Sequence, residues 1–512
     1  MEKYILSLDL GTTAIKVALI DLDGRMKSSA TMDYTLLTPD VLSVELPVEV
    51  YWENFKGGVR KILESTGIQP DSIACMGISA QGETIILLDK TGEPLMNAIV
   101  WMDNRAQDEA EELKQIIQDD IFYSHTGQVS MVPTWPAAKL RWIKKNLPET
   151  FDAIDKVLLI EDYFIWRLTG KFVCEGSLIC STGYWDINTK QWWPEMLECL
   201  GITEDKLPVI KNSGDPVGGI LADVAKELGL SEQTVVCMGV LDQAAGAVGV
   251  GNIYPGCFSE CTGAALAICA TTDSSFEDEE KQMPCHYHAI KDTYMAHTFT
   301  SGGMVLKWFK NQFCKNDEIV ADAMDESVFY VIDKEAENIP AGSEGLVMLP
   351  HLQGAMAPEA NPKAKGVFYG ITLKHTKAHF ARAIMESVGF IIKRNLKTLE
   401  RMGFTFNEIR VLGGGSVSPL WNQIKADITG MTICQTSIQN AACLGAAIVA
   451  GSGCGLFDSL EDAVKNMVVV TARYEPDPER SEIYEKAFEK YVNLYEALCP
   501  VFDMDRKDWC KS

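Results

Sequence analysis

Apolar runs of strand type alternate with segments of helical periodicity along the whole chain, the pattern of an α/β architecture. YILSLDL is followed by IKVALIDLDG, and the pair, with its Asp23-Gly24 turn, predicts a hairpin whose first turn carries Gly11, Thr12 and Thr13. Helical periodicity follows in VYWENFKGGVRKILEST. IACMGIS then leads into a second expected hairpin, ETIILLDKTGEPLMNAIVW, closed at Lys90-Thr91-Gly92. Further helices are expected at 104–118, 136–146, 161–168, 304–314, 376–400, 418–429 and 477–498. Composition changes across GAVGVGNIYPG (246–256), after which FSECTGAALAICATTD restarts with a strand, a Thr262-Gly263 turn and another strand. This turn echoes the first one, so the pattern predicts two similar halves with a boundary near residue 250. No tandem repeat of 20–50 residues is visible.

At 512 residues the chain exceeds one ordinary core and calls for two to four domains. A net charge of −25 makes nucleic acid and anionic membrane surfaces poor partners. The fifteen cysteines show no paired CxxC spacing, and Cys75, Cys237 and Cys269 lie inside apolar runs, which fits buried free thiols in a reducing cytoplasm. No secretory signal opens the chain, and the longest apolar stretch, 441–457, is too short and too rich in Gly and Ala for a membrane span; it reads as a buried helix in tight contact.

The candidate chemistry lies in three turns of small residues. Asp9 precedes Gly11-Thr12-Thr13, Asp242 precedes QAAGAVGVG, and Gly413-Gly414-Gly415 follows IRVL. Small residues let backbone amides approach a phosphate closely, and a carboxylate beside them suits a divalent ion or a base. Thr12, Thr13, Thr262 and Gly263 offer amides and hydroxyls, Lys16 a cation, and Asp9 a carboxylate for Mg²⁺ bound through water. Asp242 is the candidate for the base that receives a hydroxyl proton. Together these turns suggest a cleft between two domains that moves a phosphoryl group. No GxxxxGK[ST] loop occurs, which excludes a P-loop site. Cys285-His286-Tyr287-His288 with His297 has the composition of a metal cluster but not the spacing of a zinc site.

GVFYGITLKHTKAHFARAIMESV (366–388) resembles the second signature of the FGGY carbohydrate kinases, the sugar-kinase branch of the actin-like ATPases, at Gly366, Phe368, Gly370, Ile371, His379, Phe380, Ala383 and Glu386. AAKLRWIKKN resembles the first through Pro136, Lys139, Leu140, Trp142, Ile143 and Asn146, with Thr134 departing from it. The resemblance implies two actin-like (ribonuclease H-like) α/β domains with an interdomain catalytic cleft. The first, 1–250, would bind sugar and the second, 251–512, nucleotide. It implies ATP and Mg²⁺ as cofactors and a small sugar or polyol as partner; dimers are common in the family, so a homodimer is expected. Asp9, Thr12 and Thr13 resemble its first phosphate motif, and Thr262 and Gly263 its second. Gly413, Gly414 and Gly415 with Ser416 and Asn422 resemble its adenosine motif. Ser301-Gly302-Gly303 resembles the turn before a helix of the nucleotide domain, and Asp242 falls on the catalytic base.

Gln81, Gly82, Glu83, Trp101 and Asp103 fall where the family contacts its sugar, with Arg105 nearby. Ala80-Gln81-Gly82-Glu83-Thr84 keeps the Glu and Thr of the glycerol-type loop but has Gly where that loop has Arg, which predicts a larger pocket and a longer sugar. Residues 160–193, 207–220 and 348–371 resemble xylulokinases, although Ala355-Met356-Ala357-Pro358 replaces a charged pair usual there. A xylulose-like ketopentose is therefore the expected acceptor, with glycerol or erythritol-type polyols and gluconate as alternatives. An actin- or chaperone-like ATPase would lack the sugar-facing loops, and a non-catalytic sugar sensor would not keep Asp9, Asp242 and Thr262-Gly263 together.

Overall fold

In the computed structural model, which describes residues 2–437 and 440–504, the chain divides into two compact units. One gathers Met1–Pro255, Thr271–Met295 and Asn440–Val469; the other gathers Gly256–Ala270, Ala296–Gln439 and Val470–Ser512.

The first unit is built on six strands: β1 (Tyr4–Leu10), β2 (Ala14–Asp21), β3 (Met26–Asp33), β4 (Ile73–Ala80), β5 (Pro216–Gly219) and β6 (Val235–Cys237). Their order across the sheet is β3-β2-β1-β4-β6-β5, with Val240–Leu241 also paired to β4. The first three form an antiparallel meander, β1/β4 and β4/β6 are parallel, and β5/β6 is antiparallel. Ile5, Leu8, Val17, Leu19, Cys75 and Ile78 are fully buried, because a sheet covered on both faces needs near-continuous apolar runs. The expected Asp23-Gly24 turn closes β2/β3, with Gly24 at φ 78° and Asp21 Oδ1 accepting from the amides of Asp23 and Arg25.

The helix Ala441–Gly453 packs on β1 and β4 and against the helix Asp242–Gly249. Only small residues permit this. A Cβ on Gly249 would lie 1.9 Å from the Ala441 carbonyl oxygen, and one on Gly445 would lie 1.8 Å from that of Ala245. The Gly- and Ala-rich stretch is thus a helix buried in tight contact, as expected.

The second unit repeats the arrangement with β7 (Cys257–Thr262), β8 (Ala265–Thr272), β9 (Tyr294–Ser301), β10 (Glu408–Leu412), β11 (Thr432–Thr436) and β12 (Val470–Tyr474). Their order is β9-β8-β7-β10-β11-β12, with β7/β8 antiparallel, β7/β10 and β10/β11 parallel, and β11/β12 antiparallel. The first three strands and the parallel strand beside them recur in the same order, while the outer two strands are reversed in chain order, β6-β5 against β11-β12; the echo between the two Thr-containing turns thus reflects equivalent β-hairpins.

Helices form at Pro136–Asn146, Gly303–Phe313, Lys377–Arg401, Pro419–Thr429 and Pro478–Phe502, close to the expected bounds. Pro supplies a preset φ at the start of three of them, and Ser418 and Asp477 accept backbone amides as N-caps. The second expected hairpin needs correction. Its turn forms, with the Asp89 amide on the Glu93 carbonyl, but Ile85–Leu88 pairs mainly with Lys156–Leu159, and the return arm is strand only at Ala98–Ile99. Pro94, which has no amide to donate, interrupts that arm.

Candidate functional site

In the first unit the parallel pairing of β1 with β4 sets Asp9 opposite Ser79, and the antiparallel pairing with β2 sets it opposite Lys16. Ser79 Oγ donates to Asp9 Oδ1 at 3.1 Å, and Lys16 Nζ lies 3.8 Å from Asp9 Oδ2. Burial pushes the Asp9 carboxyl up, while Lys16 and the Ser79 hydroxyl pull it back. Lys16 thus faces the carboxylate, with its side chain 42% exposed. The Gly11–Thr13 turn is closed by the Gly11 amide on the Ala14 carbonyl and by the Tyr34 hydroxyl, which donates to the Gly11 carbonyl.

Trp101 is joined to this turn, its Nε1 donating to Thr12 Oγ1 at 2.9 Å, while its own amide donates to Thr84 Oγ1. The wall formed by residues 100–105 and the loop 80–84 are held together by Lys139, whose fully buried ammonium group donates to the carbonyls of Glu83 at 3.0 Å, Val100 at 3.1 Å and Trp101 at 3.5 Å. Desolvation pulls the Lys139 pKa down to about 7. Sequence reasoning placed Lys139 only in a signature; its position among buried residues of a helix was the available signal.

Gln81 is buried, its amide bonded to the Leu10 carbonyl, and its Oε1 has no hydrogen-bond partner. Glu83 has φ 55°, a conformation that costs a non-glycine residue of order 1–3 kcal/mol. Burial raises its carboxyl, and Ser181 and Lys139 lower it. A Cβ on Gly82 would meet the side chains of Leu241 (Cδ1 at 3.3 Å) and Ser181 (Oγ at 3.6 Å), which flank this position. Both oxygens of Asp103 accept from Arg105, and Oδ2 also accepts from the Val44 amide at 2.6 Å, so this carboxylate fixes the wall and is saturated within the protein.

Asp242 opens the helix Asp242–Gly249, at the end of the segment paired to β4. Behind it the Leu241 amide donates to Ser177 Oγ, and Ser177 donates to the buried Glu175, which also accepts from Ser213. Burial, then repulsion from Asp9, and to a smaller degree from Glu83, push Asp242 up to about 7, against the stabilising bonds from Gln243. Asp9, Glu83 and Asp242 are thus brought together within one unit, with Gln81 on the loop that carries Glu83. The segment 285–288 makes no such cluster: His288 is buried with both ring nitrogens unpartnered, and desolvation takes it down to about 4.

In the second unit the three nucleotide-type turns converge. The Gly303 amide donates to the Gly263 carbonyl at 2.8 Å, and Met304 donates to that of Ala264, so the helix Gly303–Phe313 starts from the Thr262-Gly263 turn. A Cβ on Gly415 would lie 2.6 Å from Thr262 Cγ2, and one on Gly413 would lie 2.9 Å from the Thr262 carbonyl oxygen. By contrast a Cβ on Gly414 would meet nothing within 4 Å, leaving a bare face for a ligand. Ser416 Oγ donates to the Gly413 carbonyl, and Asn422 Nδ2 to the Ser416 carbonyl; Asn422 Oδ1 is buried without a partner. Thr262 is anchored from below: its hydroxyl donates to Glu260 Oε2 at 2.6 Å, and Lys425 Nζ reaches both Glu260 Oε1 at 2.5 Å and Thr262 Oγ1 at 3.1 Å, with both charged side chains fully buried. Sequence reasoning missed this pair; the signals were a lone Glu inside a strand and a lone Lys on an apolar helix face.

Residues 4–249 match the model of the FGGY family of carbohydrate kinases, N-terminal domain, and 269–454 match its C-terminal domain. Over 502 residues the chain is 29% identical to a xylulose kinase of Staphylococcus epidermidis, covering 97% of each. Over 500 residues it is 28% identical to a gluconokinase of Bacillus subtilis, covering 97% of this chain and 96% of that one. The solved structure of ligand-bound xylulose kinase from Lactobacillus acidophilus is 28% identical, covers 97% of this chain and 98% of its own, and superposes with a TM-score of 0.88. Both halves of the chain, together with the paired glycine-and-carboxylate turns that they fold into, thus identify an enzyme that uses ATP to phosphorylate a sugar: the chain belongs to the FGGY family of carbohydrate kinases.

Proposed function

We propose that this kinase transfers the γ-phosphate of ATP to a hydroxyl of a neutral ketopentose resembling xylulose. The observation that carries the reading is the buried Gln81 Oε1, an acceptor with no partner in the protein, on the same short loop as Glu83, whose carboxylate together with that of Asp9 repels Asp242. An unpaired buried acceptor costs about 1–3 kcal/mol, which a sugar hydroxyl would recover by donating to it. The same group of carboxylates repels an anionic acceptor. Of the basic groups nearby, Lys139 is committed to carbonyls, Arg105 to Asp103 and Glu45, and Lys16 faces Asp9. A neutral sugar is therefore favoured over an aldonate such as gluconate, although the relatives named for the two are almost equally similar.

In this reading residues 1–250 bind the sugar and 251–512 the nucleotide. Gln81, Glu83 and the Gly82 backbone contact sugar hydroxyls, and Trp101 and Asp103 shape the wall. Thr262, Gly263, Gly413, Gly414, Gly415, Ser416 and Asn422 bind ATP, with Thr12, Thr13 and Lys16 assisting at its phosphates. The bare face of Gly414 and the glycine-only contacts around Thr262 support that assignment. Asp9, a hard oxygen donor with its side chain 13% exposed, would hold Mg²⁺ through water, and the ion when bound would neutralise phosphate charge. Asp242 takes the proton from the attacking hydroxyl. We place the enzyme in the cytoplasm; among the described residues no helix is long and apolar enough to cross a membrane.

Coupled ADP release measured with xylulose, ribulose, gluconate, glycerol and erythritol tests the substrate assignment. A ketopentose is expected to give a kcat/KM at least about tenfold above gluconate, a factor worth roughly 1.4 kcal/mol. A preference for gluconate or a polyol overturns it. The base assignment has its own pH signature. Because Asp242 is pushed up to about 7 and must be unprotonated to act, kcat/KM should climb as pH rises through 7 and level off above it. A profile that is flat between about pH 5.5 and 8 is incompatible with this role.

A further inference from the structure

Three cysteines remote in sequence meet inside the first unit. Cys75 lies on β4, Cys237 ends β6, and Cys454 caps the helix Ala441–Gly453. Their Sγ atoms all lie within 4.8 Å of one another, and those of Cys237 and Cys454 are 3.2 Å apart. Among the described residues this is the one such convergence of three His, Cys, Asp or Glu side chains. Cys75 and Cys237 are buried and Cys454 is partly exposed, so the cluster can be reached from one corner.

We propose that Cys75, Cys237 and Cys454 form a binding site for one soft, thiophilic d¹⁰ cation of the zinc(II) or copper(I) class. The donor set is all sulfur, which selects against Mg²⁺ and Ca²⁺ and for thiophilic metals. An ion about 2.3 Å from each of three sulfurs requires them to be roughly 4 Å apart, and the 3.2 Å contact and 4.8 Å limit of the cluster bracket that spacing. Oxidation to a disulfide would use two sulfurs and give the third no role; a metal engages all three. On binding, each thiol loses its proton to solvent and its sulfur forms one bond to the ion. Zinc then leaves one net negative charge and copper(I) two, so burial favours zinc, with water from the Cys454 side as its fourth ligand. The site is separate from the kinase chemistry, but β4 runs on from Cys75 to Ser79, and Cys237 precedes Asp242 by one turn and a short strand.

The test uses the reduced, metal-stripped full chain. Cd²⁺, the spectroscopic stand-in for zinc, is titrated in while thiolate-to-metal absorption is followed; Zn²⁺ and anaerobic Cu(I) are titrated against chromophoric chelators. The expected result is one ion per chain, with affinity falling roughly tenfold or more in Cys454→Ser and in Cys237→Ser, and unchanged in Cys199→Ser and Cys499→Ser, whose thiols are outside the cluster. Circular dichroism confirms that each variant is folded. Should Cys237→Ser fail to fold, the partly exposed Cys454→Ser decides alone. No thiolate band, or binding that survives Cys454→Ser, overturns the site; tighter Cu(I) than Zn²⁺ binding overturns the preference for zinc.

Discussion

Asp242→Asn is expected to lower kcat for sugar phosphorylation by about 10²–10⁴-fold or more, while the affinity for ATP analogues stays within roughly twofold and the folded protein becomes more stable at alkaline pH. The last part distinguishes the loss of a base from the loss of a fold. Asp242 is pushed up to about 7 by burial first and by Asp9 next. A carboxyl raised in the folded state binds its proton more tightly there than in the unfolded chain, so its ionised form is a liability. That liability is absent below the unfolded value near pH 4, grows between pH 4 and 7, and is complete above the folded value. Three pKa units at 1.36 kcal/mol each give on the order of 2–4 kcal/mol, which Asn, of equal size and without charge, removes. Thermal unfolding at pH 8 should therefore show a higher Tm for the variant, and the gap should close towards pH 5. Substantial residual turnover, or a variant less stable than the parent at pH 8, is the result that rejects Asp242 as a strained base.

How far the sequence revealed this site depended on the kind of signal each residue leaves. Helix bounds were legible because Pro136, Pro419 and Pro478 mark their first turns and the apolar positions recur at helical spacing. Turn glycines were legible because a Cβ on Gly413 or Gly415 would run into Thr262, a need that leaves glycine in the sequence. The pairing of Ser79 with Asp9 was not, because it depends on the parallel register that sets residues 70 apart side by side. Nor was the ladder from Ser213 through Glu175 and Ser177 to the Leu241 amide, which joins four segments. The Gly82 inference shows the limit most clearly. The missing Arg side chain was visible in the sequence, but the side chains that flank position 82, Leu241 and Ser181, come from distant segments. The second signature has a similar explanation: Glu386 accepts from Arg382, Tyr484, Ser343 and the Gly342 amide, a buried network that holds the long helix Lys377–Arg401 in place. That motif identifies the family through its packing, while the chemistry lies elsewhere.

Lys425→Met should destabilise the protein by about 3–5 kcal/mol, the largest stability loss expected for any single substitution outside the apolar core. Lys425 Nζ and Glu260 Oε1 are 2.5 Å apart and neither side chain has any exposed surface, so removing the cation strands a carboxylate where water cannot reach it. The neutral pair Lys425→Met with Glu260→Gln should recover most of that loss, because the cost arises from the uncompensated charge and the pair itself contributes little net stability. A functional consequence separates this pair from an ordinary core contact. Both partners hold the Thr262 hydroxyl, at 2.6 Å from Glu260 Oε2 and 3.1 Å from Lys425 Nζ, and the Thr262-Gly263 turn is assigned here to the nucleotide. The double variant, though refolded, should therefore show a raised KM for ATP with the KM for sugar unchanged. The exposed pair Lys486–Glu482, one helical turn apart on the surface, is the control, and Lys486→Met should cost no more than about 0.5 kcal/mol. If denaturant unfolding gives equal losses for Lys425→Met and Lys486→Met, the buried pair does not support the turn. If the double variant raises the KM for sugar instead, Thr262 belongs to the acceptor side and the assignment of the second unit to ATP fails with it.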